Sequence, residues 1–429
     1  MPQLTGRRLP LRRAAVRLSA FQRLLLLLTI FGPGVITGIV DDDATGIAGY
    51  SLAGAHYGYL LLWALIPVTV ALIVAQEMGA RMGVVTGKGL ADLIRERFGV
   101  GVTLLAMVTL LIANAATTVA EFAGVAAAAQ LFGISPYLLV PAAAVIVFVV
   151  VSFGTYRKVE LVLLAVSFVF ISYIITGFLA QPQWNEVAKG TFVPRVHLTL
   201  PFLTMLIGLI GTTITPWQQF YVQSAMVDKG LSERDLKRAR ADVAIGSTLT
   251  NVIAFFIIVT TAATLFVTGQ PADTVKDIGQ ALEPLAGNFA ARLFAIALLN
   301  ASLMAMAILP LSTAYAICEA FGWERSVNRP VREAPIFFSL FGGLLVVGAA
   351  AVLIPGVPLL FLLFLPNVVG AILLPIILVL TLRLVNDRQV MGRFVNNQVQ
   401  NVLAWATTVV LVVLTVAYAV LAVVAVAGG

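Results

Sequence analysis

Three consecutive aspartates, Asp41, Asp42 and Asp43, are the residues of this chain best suited to chemistry. They lie in the stretch GPGVITGIVDDDATG, residues 32–46, which interrupts an apolar run. A charged side chain at the centre of a bilayer costs about 2.5–3.5 kcal/mol even on lenient insertion scales, so three carboxylates do not face lipid. The flanking glycines and proline favour an unwound backbone. The pattern therefore predicts a broken membrane helix whose break binds a cation.

The three carboxylates do not have equal access to one ion. Successive side chains on a helix point about 100° apart, so we expect at least one to contact the cation while the others face a vestibule or a polar neighbour. The alternative is an ordinary loop that divides the segment into two short pieces. The continuous apolar sequence before and after the aspartates argues against this alternative.

A second interruption has the sequence LIGTTITPWQQ and covers residues 209–219. Its threonines, Thr212, Thr213 and Thr215, offer hydroxyls, and unwinding beside Pro216 would free backbone carbonyls. Threonine hydroxyls that bond back within their own helix are the alternative. Paired interruptions in corresponding helices indicate a transport site at the centre of the membrane.

Four more polar residues lie inside apolar segments. An intramembrane acid such as Glu121 is expected to act as an ion ligand, a nearby charge or a proton relay, the alternative being a structural pairing with a buried hydroxyl or amide. Asn367, which follows a proline, is predicted as a ligand or gate, or as a packing residue. Asn114 and Asn300 are predicted to form hydrogen bonds between helices.

The available ligand atoms are carboxylate, hydroxyl and carbonyl oxygens, which suit Mg²⁺, Ca²⁺ and Mn²⁺. Neither break contains methionine, cysteine or histidine. The two histidines, His56 and His197, fall at the predicted outer boundary of the membrane. Because Mg²⁺ dehydrates reluctantly, a site for it is expected to be roomy and to hold the ion with some of its water.

The composition indicates an all-α integral membrane protein. The chain has 429 residues, of which 60% are hydrophobic and 11% charged, with a mean hydropathy of +1.01. Soluble domains have about 25% charged residues. The single cysteine, Cys318, excludes a disulfide framework and a thiolate metal cage. The net charge of +7 lies between the apolar segments, so it indicates membrane topology and not nucleic-acid binding.

Eleven segments are predicted to span the membrane, since a span needs about 20 apolar residues. They lie near residues 22–54, 58–79, 101–132, 136–154, 159–180, 199–225, 242–268, 286–319, 335–354, 358–382 and 400–427. Five helices are an odd number, so a second five-helix repeat must be inverted relative to the first. We predict repeat one at 22–180, repeat two at 199–382 and an extra helix at 400–427, all within one transmembrane domain, 22–429.

The basic residues predict the orientation. With a basic cytoplasmic tail at residues 1–21, the segments on the inner side carry 23 of the 27 lysines and arginines. Positively charged loops stay in the cytoplasm. The sequence therefore predicts a multi-pass protein of the cell membrane with its N-terminus inside and its C-terminus outside.

The motifs resemble those of the NRAMP family of divalent-metal transporters over nearly the whole chain. Gly32-Pro33-Gly34 before the acidic break resembles the first helix of that family. Three further stretches also match: RMGVVTGKGLA at 81–91, AEFAG at 120–124 and NDRQVMG at 386–392. The resemblance implies a LeuT-like fold with alternating access and no enzymatic activity.

The chain departs from the family pattern at the ligands. The Asp-Pro-Gly-Asn motif of helix 1 corresponds to residues 43–46, so the acid is kept at Asp43 but the amide ligand becomes Gly46. The Met-Pro-His motif of helix 6 corresponds to residues 215–217, so a thioether becomes the hydroxyl of Thr215 and an imidazole becomes the indole of Trp217. These changes are similar to those of the NRAMP-related magnesium transporters, which lack the transition-metal methionine.

Three more positions follow from the same resemblance. The carbonyl ligand falls at Thr212 and the helix 10 glutamine at Asn367. The helix 3 aspartate implicated in proton movement falls at Thr118, although the acid at Glu121 is kept.

We therefore predict import of Mg²⁺ and Mn²⁺ by alternating access without proton coupling. Asp43 is the principal predicted ligand. The predicted metal site comprises Asp43, Thr212, Thr215, Gly46, Asp42, Asp41, Glu121 and Asn367. No cofactor is expected besides the transported ion. The expected partners are that ion and the lipid bilayer, with no nucleic acid and no obligatory protein partner.

Three alternatives were open. The first is a proton-coupled Mn²⁺/Fe²⁺ symporter with an altered site. The second is an intramembrane hydrolase with paired aspartates. The aspartates of this chain are adjacent on one break and no partner acid motif lies in a second helix, which argues against this alternative. The third is a carrier of organic cations that uses Asp43 as the amine partner and needs an aromatic pocket, for which Trp217 is the evident candidate.

Overall fold

The computed structural model describes residues 32–153, 164–270, 272–324 and 330–427, and these form a helical bundle. The helices of the first half are α1 (Pro33–Asp41), α2 (Ala44–Tyr57), α3 (Leu62–Thr86), α4 (Leu90–Phe132), α5 (Pro136–Ser152), α6 (Ile171–Leu179) and α7 (Trp184–Phe192). Those of the second half are α8 (Leu200–Thr213), α9 (Pro216–Asp228), α10 (Leu236–Thr261), α11 (Val275–Gln280), α12 (Glu283–Ala286), α13 (Ala290–Phe321), α14 (Pro335–Val352), α15 (Leu359–Val385), α16 (Arg388–Met391) and α17 (Gln398–Ala427).

Both predicted helix breaks are present. The first separates α1 from α2 at Asp42 and Asp43, and the second separates α8 from α9 at Ile214 and Thr215. Asp43 and Thr215 are the N-cap residues of the helices that follow, a position that their short polar side chains favour. Pro216 begins α9 where its missing N–H costs no helical hydrogen bond.

Three predicted helices differ in how well the structure matches their bounds. The helix expected at 58–79 is Leu62–Thr86, because Glu77 and Arg81 pair within it and the helix continues past the apolar stretch. The helix expected at 101–132 is confirmed as the apolar part of α4, which Gly99, with φ of 77°, separates from a polar helical part that begins at Leu90 and was not predicted. The helix expected at 159–180 is described only from residue 164, since 154–163 lie outside the described residues.

The number of spans stays a prediction. Within the described ranges, eight helices are long and apolar enough to cross a membrane. A ninth candidate is Leu164–Leu179 with Trp184–Phe192, two pieces bent by 116°. The sequence did not predict α7, because its residues, WNEVAKGTF, are too polar to resemble a membrane span.

The broken first helix lies along α10. A Cβ on Gly34 would lie 2.6 Å from the Val243 Cα, and one on Gly38 would lie 2.6 Å from the Gly246 carbonyl oxygen. Thr250 Oγ1 donates a hydrogen bond of 2.6 Å to the Gly38 carbonyl. The two backbones therefore touch, and glycine is required where they do.

The predicted hydrogen bonds between helices are confirmed. Asn114 Nδ2 donates to Thr313 Oγ1 over 2.6 Å, which joins α4 to α13. Asn300 Nδ2 donates to Ser167 Oγ over 3.0 Å. In a membrane such contacts replace the hydrophobic drive that holds soluble helices together.

Loops predicted on the inner side meet at one end of the bundle. Glu77 accepts hydrogen bonds from Arg81 Nε at 3.0 Å and from Arg240 Nε at 2.7 Å. Arg81 also donates to the Phe394 carbonyl at 2.5 Å and to Asn396. The start of α10, the end of α3 and the segment before α17 therefore form one polar network.

Candidate metal-binding site

Asp43 lies at the start of α2 and is buried. Its Oδ1 accepts hydrogen bonds from Gly46 N at 2.8 Å and from Thr45 Oγ1 at 2.6 Å. These contacts hold the carboxylate against the helix N-terminus, where the backbone dipole stabilises negative charge. These two hydrogen bonds fix the orientation of the Asp43 carboxylate.

Glu121 reaches the same turn from α4 and is fully buried. Its Oε2 accepts a hydrogen bond from Ala44 N at 3.3 Å, and its Oε1 has no protein partner among the described residues. Gly124 permits this approach, since a Cβ there would lie 2.7 Å from the Ala44 Cβ. The second acid thus adjoins the turn that carries Asp43.

Asp41 and Asp42 are also buried, but their environments differ. Asp41 Oδ1 accepts a hydrogen bond from Gln218 Nε2 in α9. Asp42 has no hydrogen-bond partner for either carboxylate oxygen within the described part of the chain. An unpaired buried carboxylate is strongly unfavourable, so a cation or a proton is needed beside Asp42.

The second break contributes hydroxyls. Thr212 Oγ1 lies 3.4 Å from Thr45 Oγ1, across the gap between the two broken helices. Thr213 Oγ1 lies 2.8 Å from the Tyr50 hydroxyl and donates back to the Leu209 carbonyl at 2.9 Å. The predicted back-bonding of threonine is therefore seen at Thr213, whereas Thr212 faces the first break.

Gln218 joins the two breaks, which sequence reasoning did not predict. Its Nε2 donates to Asp41 and to the Thr213 carbonyl at 3.4 Å, and its Oε1 accepts from Thr215 N at 3.3 Å. An amide two residues after a helix-breaking proline was the available signal. The partner of this amide, Asp41, is 177 residues away in sequence.

Asn367 approaches the first break from α15. Its Nδ2 donates to the Thr45 carbonyl at 3.0 Å. Gly211 packs against it so closely that a Cβ would overlap the Asn367 carbonyl oxygen. Trp217, in contrast, packs in an apolar cluster with its ring 5.7 Å from that of Tyr221.

All eight predicted site residues therefore lie around the two facing breaks. Gly46 contributes its N–H to Asp43, and a Cβ there would lie 2.9 Å from the Asp41 carbonyl oxygen. Across the described residues, no three His, Cys, Asp or Glu side chains converge as a preformed metal cage. An ion held here needs hydroxyls, freed carbonyls or water in addition to carboxylates. Broken helices supply such carbonyls at their C-terminal ends.

Comparison with known proteins identifies the family. The family model described as natural resistance-associated macrophage protein-like, Nramp, matches residues 34–421. The chain belongs to the Nramp family. The divalent metal cation transporter MntH of Erwinia tasmaniensis is 32% identical over 286 residues, which are 64% of this chain and 68% of that protein.

Solved structures show the same fold. The Eremococcus coleocola manganese transporter has a TM-score of 0.75 at 23% identity and covers 92% of this chain and 86% of its own. MhsT, solved with L-phenylalanine, has a TM-score of 0.61 at 15% identity, with coverages of 91% and 97%. This Nramp protein is a multi-pass membrane transporter of divalent metal cations with a LeuT-like fold, and it is not an enzyme.

Proposed function

We propose that this Nramp protein imports Mg²⁺, and also Mn²⁺, into the cytoplasm by alternating access without proton coupling. The observation that supports this most is the set of groups at the facing breaks. The polar side chains described there are carboxylates, hydroxyls and amides, with Thr215 and Trp217 where the family pattern has a thioether and an imidazole. Oxygen donors favour hard cations.

Asp43 is the proposed principal ligand, with Thr212 and Thr215 supplying hydroxyl or carbonyl oxygens. Asp41 and Asp42 add negative potential, and Glu121 is a nearby acid. Gly46 orients Asp43 through its N–H, and Asn367 holds the first break. Inward movement is driven by the membrane potential, which contributes about 4.6 kcal/mol per 100 mV for a divalent ion.

The test is uptake of Mg²⁺ and Mn²⁺ into liposomes that contain the purified protein. We expect Asp43→Asn to reduce uptake of both ions at least about tenfold, which corresponds to about 1.4 kcal/mol. Asp273→Asn, at an exposed position outside the site, is the matched control and should transport normally. Normal transport by Asp43→Asn would refute the ligand assignment.

A pH-sensitive dye in the liposome lumen tests the second part of the proposal. We expect no acidification during Mn²⁺ uptake. Metal-dependent acidification would favour the second candidate, a proton-coupled Mn²⁺/Fe²⁺ symporter with an altered site. The relatedness to MntH and the carboxyl of Glu121 beside the Asp43 turn favour that candidate. Strong competition by Cd²⁺ with none by Mg²⁺ would also support it.

The proposed topology places the N-terminus inside and the C-terminus outside, with repeats at 22–180 and 199–382 and residues 1–21 as a cytoplasmic tail. Lys237 and Lys276 are exposed and belong to opposite sides in this arrangement. In intact cells, Lys276→Cys should react with a membrane-impermeant maleimide. Lys237→Cys should react only after permeabilisation, and the reverse pattern would invert the topology.

A further inference from the structure

A groove of about 670 Å³ lies outside the transport site, where α4, α15 and α17 meet. It is lined by Arg97, Phe98, Leu382, Arg383, Asn386, Asp387, Asn401 and Trp405. The groove contains cationic, amide and indole groups together, which is unlike the apolar surfaces that face lipid elsewhere on the bundle.

The groove lies at the membrane boundary. It is formed where three apolar segments end, near residues 101, 382 and 400, and all three ends belong to the predicted inner side. Gly99, with φ of 77°, ends the polar part of α4 beside it. Trp405 is 42% exposed on α17, and indoles favour the headgroup level of a bilayer.

The two arginines of the groove, Arg97 and Arg383, differ in whether an acidic side chain pairs with them. Arg97 pairs with Asp387 at 2.5 Å and donates to Gln389 at 2.9 Å. Arg383 is exposed, and no acidic side chain contacts its guanidinium among the described residues. Asn386 Nδ2 donates to Asn401 Oδ1 at 2.7 Å, which joins α15 to α17 and forms the polar wall of the groove.

We propose that this groove binds the phosphodiester headgroup of an anionic phospholipid. Arg383 supplies the charge, because a guanidinium matches the paired oxygens of a phosphate. The amides of Asn386 and Asn401 flank the headgroup, and Trp405 lies beside the first part of the acyl chains. Basic pockets between transmembrane helices at the cytoplasmic face are suited to such lipids. The cytoplasmic leaflet follows from the proposed orientation, whereas binding itself does not depend on it.

Native mass spectrometry of the purified full-length protein tests the proposal. The protein is titrated with phosphatidylglycerol, phosphatidylcholine or inorganic phosphate. We expect selective retention of phosphatidylglycerol, and Arg383→Gln should weaken it about fivefold, the factor that one basic residue contributes near an anionic surface. Arg383→Lys should retain most of the binding. Arg238→Gln, an exposed residue of the same end outside the groove, is the matched control.

Equal retention of the two lipids, or wild-type retention by Arg383→Gln, would overturn the proposal. Displacement of the lipid by inorganic phosphate would identify a free-phosphate site instead. Thermal denaturation of each variant separates loss of binding from loss of folding. Metal uptake by Arg383→Gln should stay measurable, so failure of lipid binding and failure of the proposed transport are distinguishable.

Discussion

Asn367 Nδ2 donates a hydrogen bond of 3.0 Å to the carbonyl oxygen of Thr45, two residues after Asp43. This contact ties α15 to the first turn of α2. The backbone of the first break is therefore held by a helix from the other half of the chain. Asn367 therefore acts on the position of the break.

Replacing Asn367 with leucine should disturb the break without changing its charge. The substitution leaves the buried Thr45 carbonyl without its donor, which costs about 1–3 kcal/mol. We expect a lower melting temperature and a higher KM for Mg²⁺, measured in detergent and in liposomes. Asn185→Leu, at an exposed asparagine of α7, should change neither quantity. Unchanged KM in Asn367→Leu would contradict a role at the break.

Two substitutions of Glu121 separate its charge from its hydrogen bond. Glu121→Gln keeps an oxygen that accepts from Ala44 N, so it should fold like the wild type. The substitution removes the carboxyl group that adjoins the Asp43 turn, and it should reduce uptake at least about tenfold, or about 1.4 kcal/mol. Glu121→Ala also removes the acceptor and should lower the unfolding free energy by about 1–3 kcal/mol. Wild-type uptake by Glu121→Gln would assign a purely structural role.

The close packing at Gly211 should not tolerate a methyl group. A Cβ at this position would overlap the Asn367 carbonyl oxygen and would lie 2.7 Å from the Ala371 Cβ. We expect Gly211→Ala to destabilise the protein by about 1–3 kcal/mol, as other overpacked substitutions do. Gly343→Ala, where no atom lies within 4 Å of the new Cβ, should be neutral or stabilising. Equal melting temperatures would refute the packing argument.

Asp242 holds the N-terminal end of α1 against α10. Its carboxylate accepts hydrogen bonds from Gly32 N at 3.0 Å, Gly34 N at 2.7 Å and Val35 N at 3.3 Å. Loss of a cap of this kind costs about 0.5–2 kcal/mol. We expect Asp242→Ala to release α1 and to open the inner side of the transporter more often.

A buried cysteine introduced at Thr37 reports this opening. In the Asp242→Ala background it should react with a hydrophilic maleimide up to about tenfold faster, as a change of about 1.4 kcal/mol implies. Asp242→Asn, which keeps an oxygen acceptor, should give an intermediate rate. The buried native Cys318 gives the background. If the rate is unchanged in Asp242→Ala, this contact does not hold the inner side closed.

Local sequence was sufficient to predict both breaks, because acids, glycine and proline are incompatible with a continuous helix in lipid. It was also sufficient to place Asn114 and Asn300 between helices. It failed at the start of α4 and at α7, where polar residues at the membrane boundary form helix although they do not form an apolar segment.

The sequence by itself predicted a membrane transporter with two interrupted helices, and it predicted a cation site of oxygen ligands between them. The tertiary structure alone decided how the site is assembled. Gln218 meets Asp41, Asn367 meets Thr45 and Glu121 meets Ala44, across separations of 77 to 322 residues. Helix periodicity relates residues three or four positions apart, and such long-range pairs depend on the packing of whole helices.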